Sequence, residues 1–282
     1  MPELPEVEIA RRLIAGKALH RRITRVEDVD PYVCRPHTAD QLRDALAGRA
    51  LTVAHRRGKL IWCETSGTEQ SGTPGPDLGI HLGMTGRIIV VADHQATEGG
   101  EPFRRGAGAP RPEWSRFTLR FADGGRLTLS DPRRLGRVRL NPDVDALGPD
   151  AGEVTHQEFR ELIMKGTIAV KARLLDQSKI AGIGNLLADQ VLWQAKVSPT
   201  WPAGRLRGED ADRIFNELRS ALASAIANGG SHTGEIMAVR RPGGICPRCG
   251  AEMKHSVVGG RSTWWCSREQ TPDGGSECST QI

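Results

Sequence analysis

The hydrophobic and polar positions of the chain change their spacing along its length. Residues 5–15 read as a helix. Pro5 suits a first helical position, Glu6 and Glu8 suit its positive end, and Arg11 and Arg12 suit the other. From Ile23 to Leu140 the pattern becomes short alternating segments: Arg22–Val29, Leu51–Arg56, Leu60–Glu64, Ile80–Leu82, Gly86–Val91, Phe117–Phe121, Arg126–Ser130 and Gly136–Leu140. Ala122-Asp123-Gly124-Gly125 joins two of them as a hairpin. This is the signature of an all-β sandwich. Thr65–Asp77 and Asp93–Glu113 are rich in Gly, Pro, Ser and charge and read as long surface loops. After Leu147-Gly148-Pro149-Asp150 the pattern turns helical. Thr155–Lys165 opens with Thr155 and Glu158 at capping-box spacing, and Leu186–Ala195 and Gly208–Asn228 follow. Ile245–Ile282 carries four of the six cysteines.

A length of 282 residues suffices for two domains with a substantial core. The net charge of +5 does not by itself require a polyanionic partner. The arginines are locally clustered, however, at Arg56-Arg57-Gly58-Lys59, Arg133-Arg134-Leu135-Gly136-Arg137 and Arg240-Arg241. Such clusters fit phosphate binding, although a solvated basic surface is the commoner explanation. No apolar run approaches the roughly 20 residues of a membrane span. The first residues are acidic where a signal peptide would be basic and then apolar. A cytoplasmic protein with no membrane contact is expected. In that reducing compartment, the cysteines point to a metal or to free thiols.

Chemistry concentrates in four places. If Met1 is removed, Pro2 becomes a terminal secondary amine, and such α-amino groups titrate at roughly 7.7–8.0. It can attack an electrophilic carbon to give an iminium, with Glu3 beside it to move protons. A plain helix start is the rival explanation. The spacing Cys246-x2-Cys249, Cys266, Cys278 fits a zinc site, with His255 a substitute for the last ligand. Cys34 and Cys63 lie in strand-like surroundings and read as core thiols. Ala181-Gly182-Ile183-Gly184-Asn185 precedes a helix that Asn185 can cap, leaving an anion site or an ordinary turn. His81-Leu82-Gly83-Met84-Thr85-Gly86 offers a polar group and a flexible apolar side chain, Met84. That side chain is either core or a wedge for the gap left by an extruded base.

Taken together, these segments resemble the formamidopyrimidine-DNA glycosylase/endonuclease VIII family. The likeness runs from Met1-Pro2-Glu3-Leu4-Pro5-Glu6-Val7-Glu8 through Arg57-Gly58-Lys59, His81–Gly86, Asp131-Pro132-Arg133-Arg134-Leu135-Gly136 and Ile183-Gly184-Asn185. It ends at Gly260-Arg261-Ser262-Thr263 and the terminal cysteines. The start and the Gly-Met-Thr-Gly segment are closer to the formamidopyrimidine branch. The resemblance implies an α+β multidomain fold: an N-terminal β-sandwich with a leading helix over 1–148, a helix–two-turns–helix domain over 149–240, and a zinc-bound β-hairpin over 241–282. It implies a monomer that binds damaged double-stranded DNA across the cleft between its halves. It implies base excision through a Pro2 Schiff base, then β,δ-elimination, with Glu3 opening the sugar and Lys59 holding phosphate. His81, Lys171, Asn185 and Arg261 fall on phosphate-gripping positions, and Met84, Arg133 and Leu135 on positions that face the kinked site. One structural Zn²⁺ would be held by Cys246, Cys249, Cys266 and Cys278.

The chain departs from that pattern at three places, all near lesion recognition. Leu135 stands where a wedge phenylalanine is usual. The segment after Asn185 reads Leu186-Leu187-Ala188-Asp189-Gln190, where the family usually has a tyrosine and then a glutamate. The stretch from Gly229 to Cys246 is short for a loop that covers 8-oxoguanine, and Val239 replaces a common tyrosine. A non-catalytic damage-binding paralogue is the alternative function. A zinc-ribbon adaptor would explain the cysteines but not the first residues.

Overall fold

The computed structural model describes residues 2–68, 71–100 and 111–271. The chain divides into two compact units, Met1–Ala146 and Leu147–Ile282.

The first unit is built on two antiparallel sheets and one leading helix. Helix α1 (Leu4–Lys17) is followed by β1 (Ile23–Glu27), the short helices α2 (Pro31–Cys34) and α3 (Ala39–Leu46), and strands β2 (Leu51–Arg57), β3 (Leu60–Thr65) and β4 (Leu78–His81). Strands β5 (Arg87–Ala92), β6 (Gln95–Gly100), β7 (Ser115–Phe121), β8 (Arg126–Ser130) and β9 (Arg137–Leu140) complete it. The sheet orders are β1-β7-β8-β5-β6 and β2-β3-β4-β9. Both sheets feed one core: Ile23, Phe117, Leu119, Leu127 and Ile88 from one, Leu51, Ile61, Leu78 and Val138 from the other, with Val7, Ala10 and Ile14 of α1. The alternation along β3, with Ile61, Cys63 and Thr65 inward, is the period-2 pattern that a half-buried strand requires. Burial pushes the Cys34 and Cys63 thiols up to about 12, so both are inert core groups.

All eight expected strands form. The expected loop at Asp93–Glu113 instead begins as β6, paired antiparallel with β5 from Ala92↔Gln95 to Arg87↔Gly100. Its sequence, Gln-Ala-Thr-Glu-Gly-Gly, is polar and ends in two buried glycines, so no hydrophobic alternation reveals it. Asp93 and His94 form the turn at φ 49° and 61°, the double left-handed geometry of a tight hairpin without its usual glycine. A Cβ on Gly99 of β6 would lie 2.9 Å from Ala10 Cα, so α1 rests directly on this strand.

The second unit contains α4 (His156–Ile163), α5 (Val170–Leu175), α6 (Asn185–Gln194) and α7 (Gly208–Asn228), then the hairpin β10 (Met253–Val258) and β11 (Arg261–Cys266). Thr155 and Glu158 form the expected capping box of α4. Helix α5 has no side-chain cap and only six residues, too short for a periodic signal. Trp193 of α6 packs with Ile236, Met253, Trp264, Cys246 and Cys266, joining the hairpin to the helices in one core. Among the described residues, no helix is long and apolar enough to cross a membrane.

Candidate functional site

Pro2 and Glu3 are buried at the start of α1. Glu3 is the N-cap. Its N–H donates to Glu6 Oε2 at 2.9 Å, and its carboxylate takes the Glu6 N–H in return. This reciprocal pair fixes the Glu3 backbone and side chain together, and the helix N-terminus favours a negative charge there. Further along α1, Glu8 binds Arg11, Arg12 and, at 3.1 Å, Arg56 of β2. Burial alone would raise the Glu8 carboxyl, but these guanidinium bonds hold it at about 2. The Glu8–Arg56 bond ties α1 to the β2–β3 hairpin, whose turn carries Gly58 (φ 58°) and half-buried Lys59.

His81 lies beside that turn, because Leu60 pairs with His81 across β3 and β4. Burial, then the charges of Lys59 and Arg137, pushes the imidazole down to about 4. Its Nδ1 accepts the Gly83 N–H at 3.0 Å, which leaves the proton of the neutral ring on Nε2. His81 is therefore a neutral donor at physiological pH.

Asp131 is an organising residue to which the sequence analysis gave no role. Fully buried, it accepts Thr85 Oγ1 (2.6 Å) and the N–H groups of Arg133 (3.1 Å), Leu135 (2.7 Å) and Gly136 (2.7 Å). One carboxylate thus shapes the 131–136 loop and fastens the 81–86 loop to it. Gly83, at φ 65°, sits so close that a Cβ would lie 2.4 Å from the Leu135 carbonyl carbon. The paired loops present Met84 (40% exposed), Arg133 and half-buried Leu135. Arg134 is otherwise engaged, with a two-bond fork onto Asp30 at 2.7 and 2.9 Å.

In the second unit, Asn185 is the first residue of α6 and not its cap, which is Gly184. Its Nδ2 donates to Ser262 O at 3.0 Å, while its Oδ1 is buried without a hydrogen-bond partner. The bond sets Arg261, exposed at the hairpin turn, beside the helix N-terminus. Lys171 corrects a sequence expectation. It is fully buried, with its ammonium on Asp189 (2.6 Å), Thr263 Oγ1 (2.7 Å) and Ser262 O (3.2 Å). With those acceptors taken and no exposure, it is an internal tie, not a phosphate contact. Asp189 also receives Arg240 at 2.8 Å and the Trp264 N–H at 3.2 Å. Gln190 Oε1 accepts the Ile236 N–H at 3.0 Å. The short 229–245 connection is thereby folded as two 3-10 turns, Ser231–Thr233 and Glu235–Val239, against α6 and α7.

Cys246, Cys249, Cys266 and Glu269 bring one ligand atom each within 4.8 Å of one another. Three convergent thiols make a soft donor set that suits zinc. Trp193 Nε1 donates to Cys246 Sγ at 3.5 Å. His255 is not in this cluster: its ring packs on Trp264 and its Nε2 meets Ser262 Oγ at 3.0 Å. Cys278 lies outside the described residues.

Residues 1–138 match the formamidopyrimidine-DNA glycosylase N-terminal domain, and residues 146–236 match the formamidopyrimidine-DNA glycosylase H2TH domain. The formamidopyrimidine-DNA glycosylase of Roseiflexus sp. (strain RS-1) is 33% identical over 94% of this chain and 98% of its own length. That of Heliobacterium modesticaldum is 31% identical over 96% and 100%. Among solved structures, Lactococcus lactis Fpg in complex with abasic-site DNA is 28% identical, with a TM-score of 0.77 over 95% of this chain and 99% of that one. The same protein with DNA containing an oxidised pyrimidine gives 29% and 0.76. Near-complete coverage by these relatives, together with an N-terminal sandwich, an H2TH unit and a cysteine-bearing hairpin, establishes that the chain belongs to the formamidopyrimidine-DNA glycosylase family.

Proposed function

We propose that this protein is a bifunctional DNA glycosylase and abasic-site lyase that removes oxidised bases, with Pro2 as nucleophile. The observation that carries the reading is the burial of Pro2 next to Glu3, with Glu3 locked as the N-cap of α1. Once Met1 is removed, the Pro2 nitrogen attacks C1′ of the damaged nucleotide. The bond from C1′ to the base breaks, the base leaves with its electron pair, and the Pro2 N–H proton is released. Glu3 delivers a proton to O4′ as the C1′–O4′ bond opens, which leaves an iminium between Pro2 and C1′. That electron sink acidifies the C2′ proton. Its loss expels the 3′ phosphate, a second elimination expels the 5′ phosphate, and water releases Pro2.

In this reading the sandwich segment 1–148 does the chemistry, 149–240 binds duplex DNA, and 241–282 is a zinc-held hairpin. Lys59, His81, Asn185 and Arg261 contact phosphates. Met84, Arg133 and Leu135 occupy the space of the extruded base. Zinc, on Cys246, Cys249 and Cys266, is structural. The protein acts as a monomer. A cytoplasmic location accords with five unpaired cysteines among the described residues.

Borohydride reduction on abasic DNA tests the nucleophile. The reduced adduct should map to Pro2 by mass spectrometry, and retained Met1 should abolish it. An adduct on a lysine, with Pro2→Gly trapping normally, would overturn the assignment. No adduct at all would favour a damage-binding protein without catalysis.

DNA affinity should fall steeply with salt, each neutralised phosphate contributing roughly −0.9 to the log–log slope. Arg261→Ala should reduce the slope by about one. His81→Gln should weaken binding without changing the slope between pH 6 and 8, because the ring is neutral well above about 4. A slope change for His81→Gln would mean that the ring is charged when bound.

The 229–245 connection, held against α6 and α7, is short for a full cover over a flipped 8-oxoguanine. A loss of 1.4 kcal/mol in the transition state is about tenfold in rate. Ring-opened purines, oxidised pyrimidines and abasic sites distort the stack more and rely less on such a cover. They should be processed faster than 8-oxoguanine opposite cytosine in single-turnover assays. The reverse order would show that another segment supplies the cover.

A further inference from the structure

The cysteine cluster contains two turns of the same build that differ in one ligand. In the first, the Gly250 N–H, four residues on, donates to Cys246 O at 2.9 Å. In the second, the Gln270 N–H donates to Cys266 O at the same offset, at 3.3 Å, and the Glu269 N–H also reaches Cys266 Sγ at 3.4 Å. The third position holds a thiol in one turn and a carboxylate in the other. That carboxylate faces inward. Glu269 Oε2 is 3.9 Å from Cys246 Sγ, and the side chain lies within the same 4.8 Å set as the three sulfurs.

Its direction is fixed from several sides. Arg248 reaches Oε2 with Nε at 2.9 Å and Nη2 at 2.7 Å, and Lys196 Nζ is 3.5 Å from Oε1. Arg248 is itself held, stacked 3.8 Å over the Trp193 ring and donating to Trp193 O at 2.5 Å. Next along, buried Gln270 accepts the Cys266 N–H at 2.8 Å and donates to Val197 O at 2.9 Å, which sets the turn. A surface ion pair with Arg248 alone would not require the carboxylate to sit among thiols at the offset where the matching turn places Cys249.

We propose that Glu269, and not Cys278, is the fourth ligand, so that the site is a three-thiolate, one-carboxylate zinc centre. The proposal rests on the structural-zinc reading above. A carboxylate completes a closed tetrahedral set as a thiolate would, with a harder donor. Cys278 is then released from metal duty.

X-ray absorption at the zinc edge of the full chain decides this without reference to activity. Wild type should show three sulfurs at about 2.3 Å and one oxygen at about 2.0–2.2 Å. Cys278→Ser should leave both shells and the zinc content unchanged, and Glu269→Cys should give four sulfurs. Four sulfurs in wild type, dropping to three in Cys278→Ser, would overturn the proposal. So would an imidazole scattering pattern, or an oxygen shell and zinc content unaltered in Glu269→Ala, where water would be the ligand. Should a variant fail to fold, the sulfur count of the wild-type site still tests it. Protein that binds no zinc would overturn the structural-zinc reading as well, whereas a four-sulfur site would leave that reading standing.

Discussion

Glu3→Gln should lower base excision by roughly 10²–10⁴-fold, the usual contribution of a positioned proton donor, while still forming an adduct with preformed abasic DNA. The two halves of this result have separate causes. The variant keeps a side-chain oxygen for the Glu6 N–H, so the N-cap of α1 and the placement of Pro2 should persist. What it loses is the proton for O4′ in an intact sugar. A preformed abasic site already populates an open aldehyde, so Pro2 can condense with it without that proton. Single-turnover excision on a lesion oligonucleotide and borohydride trapping on abasic DNA measure the two steps. Equal loss in both, with an unchanged melting transition, would mean that Glu3 acts on the amine itself. Equal loss with a lowered transition would mean that it acts only as a cap.

Asp189→Asn should cost the second unit about 3–5 kcal/mol, the range for removing one partner of a buried ion pair. Lys171 and Asp189 are both fully buried, and the same carboxylate also holds Arg240 and the Trp264 N–H. The neutral amide leaves a buried ammonium and a largely buried guanidinium without their counter-charge. Four separate pieces of chain lose a common anchor: α5, α6, the 229–245 connection and β11. Denaturant titration followed by tryptophan fluorescence should show the loss, since Trp193 and Trp264 share the adjoining core. Adding Lys171→Met should recover part of it by removing the stranded charge. A cost below about 1 kcal/mol would mean that water reaches the cluster.

Much of this architecture was legible in the sequence because it rests on local signals. The eight alternating segments, the Thr155–Glu158 box and the Cys246-x2-Cys249 turn each declare themselves within a few residues. What escaped depends on partners far along the chain. Strand β6 forms because α1 and β5 offer it a surface and a hydrogen-bonding edge, not because Gln95–Gly100 favours extension. The position of Lys171 suggests a phosphate ligand, but Asp189 and Thr263, the latter 92 residues away, take its ammonium. Asp131 shows how four donors can be gathered by one acid whose own neighbours give no hint of them. Glu269 stands in the second turn where Cys249 stands in the first, whereas residue type alone points to Cys278, the remaining cysteine. The 16 residues between Cys249 and Cys266 say nothing about which side chain faces the sulfurs; the repeated turn does.

The close contact between Gly83 and Leu135 has an evolutionary consequence. The 81–86 and 131–136 loops share one carboxylate, and no Cβ fits between them. Met84 and Leu135 thus ride on a single rigid support, although 51 positions separate them in the chain. In the proposed role, where both fill the space of the extruded base, a change of size at one alters the space left to the other, so substitutions at the two sites should show epistasis and be accepted as pairs. Drift in base preference among relatives of this chain would then proceed in coordinated steps at both positions, with Gly83 and Asp131 as the fixed frame.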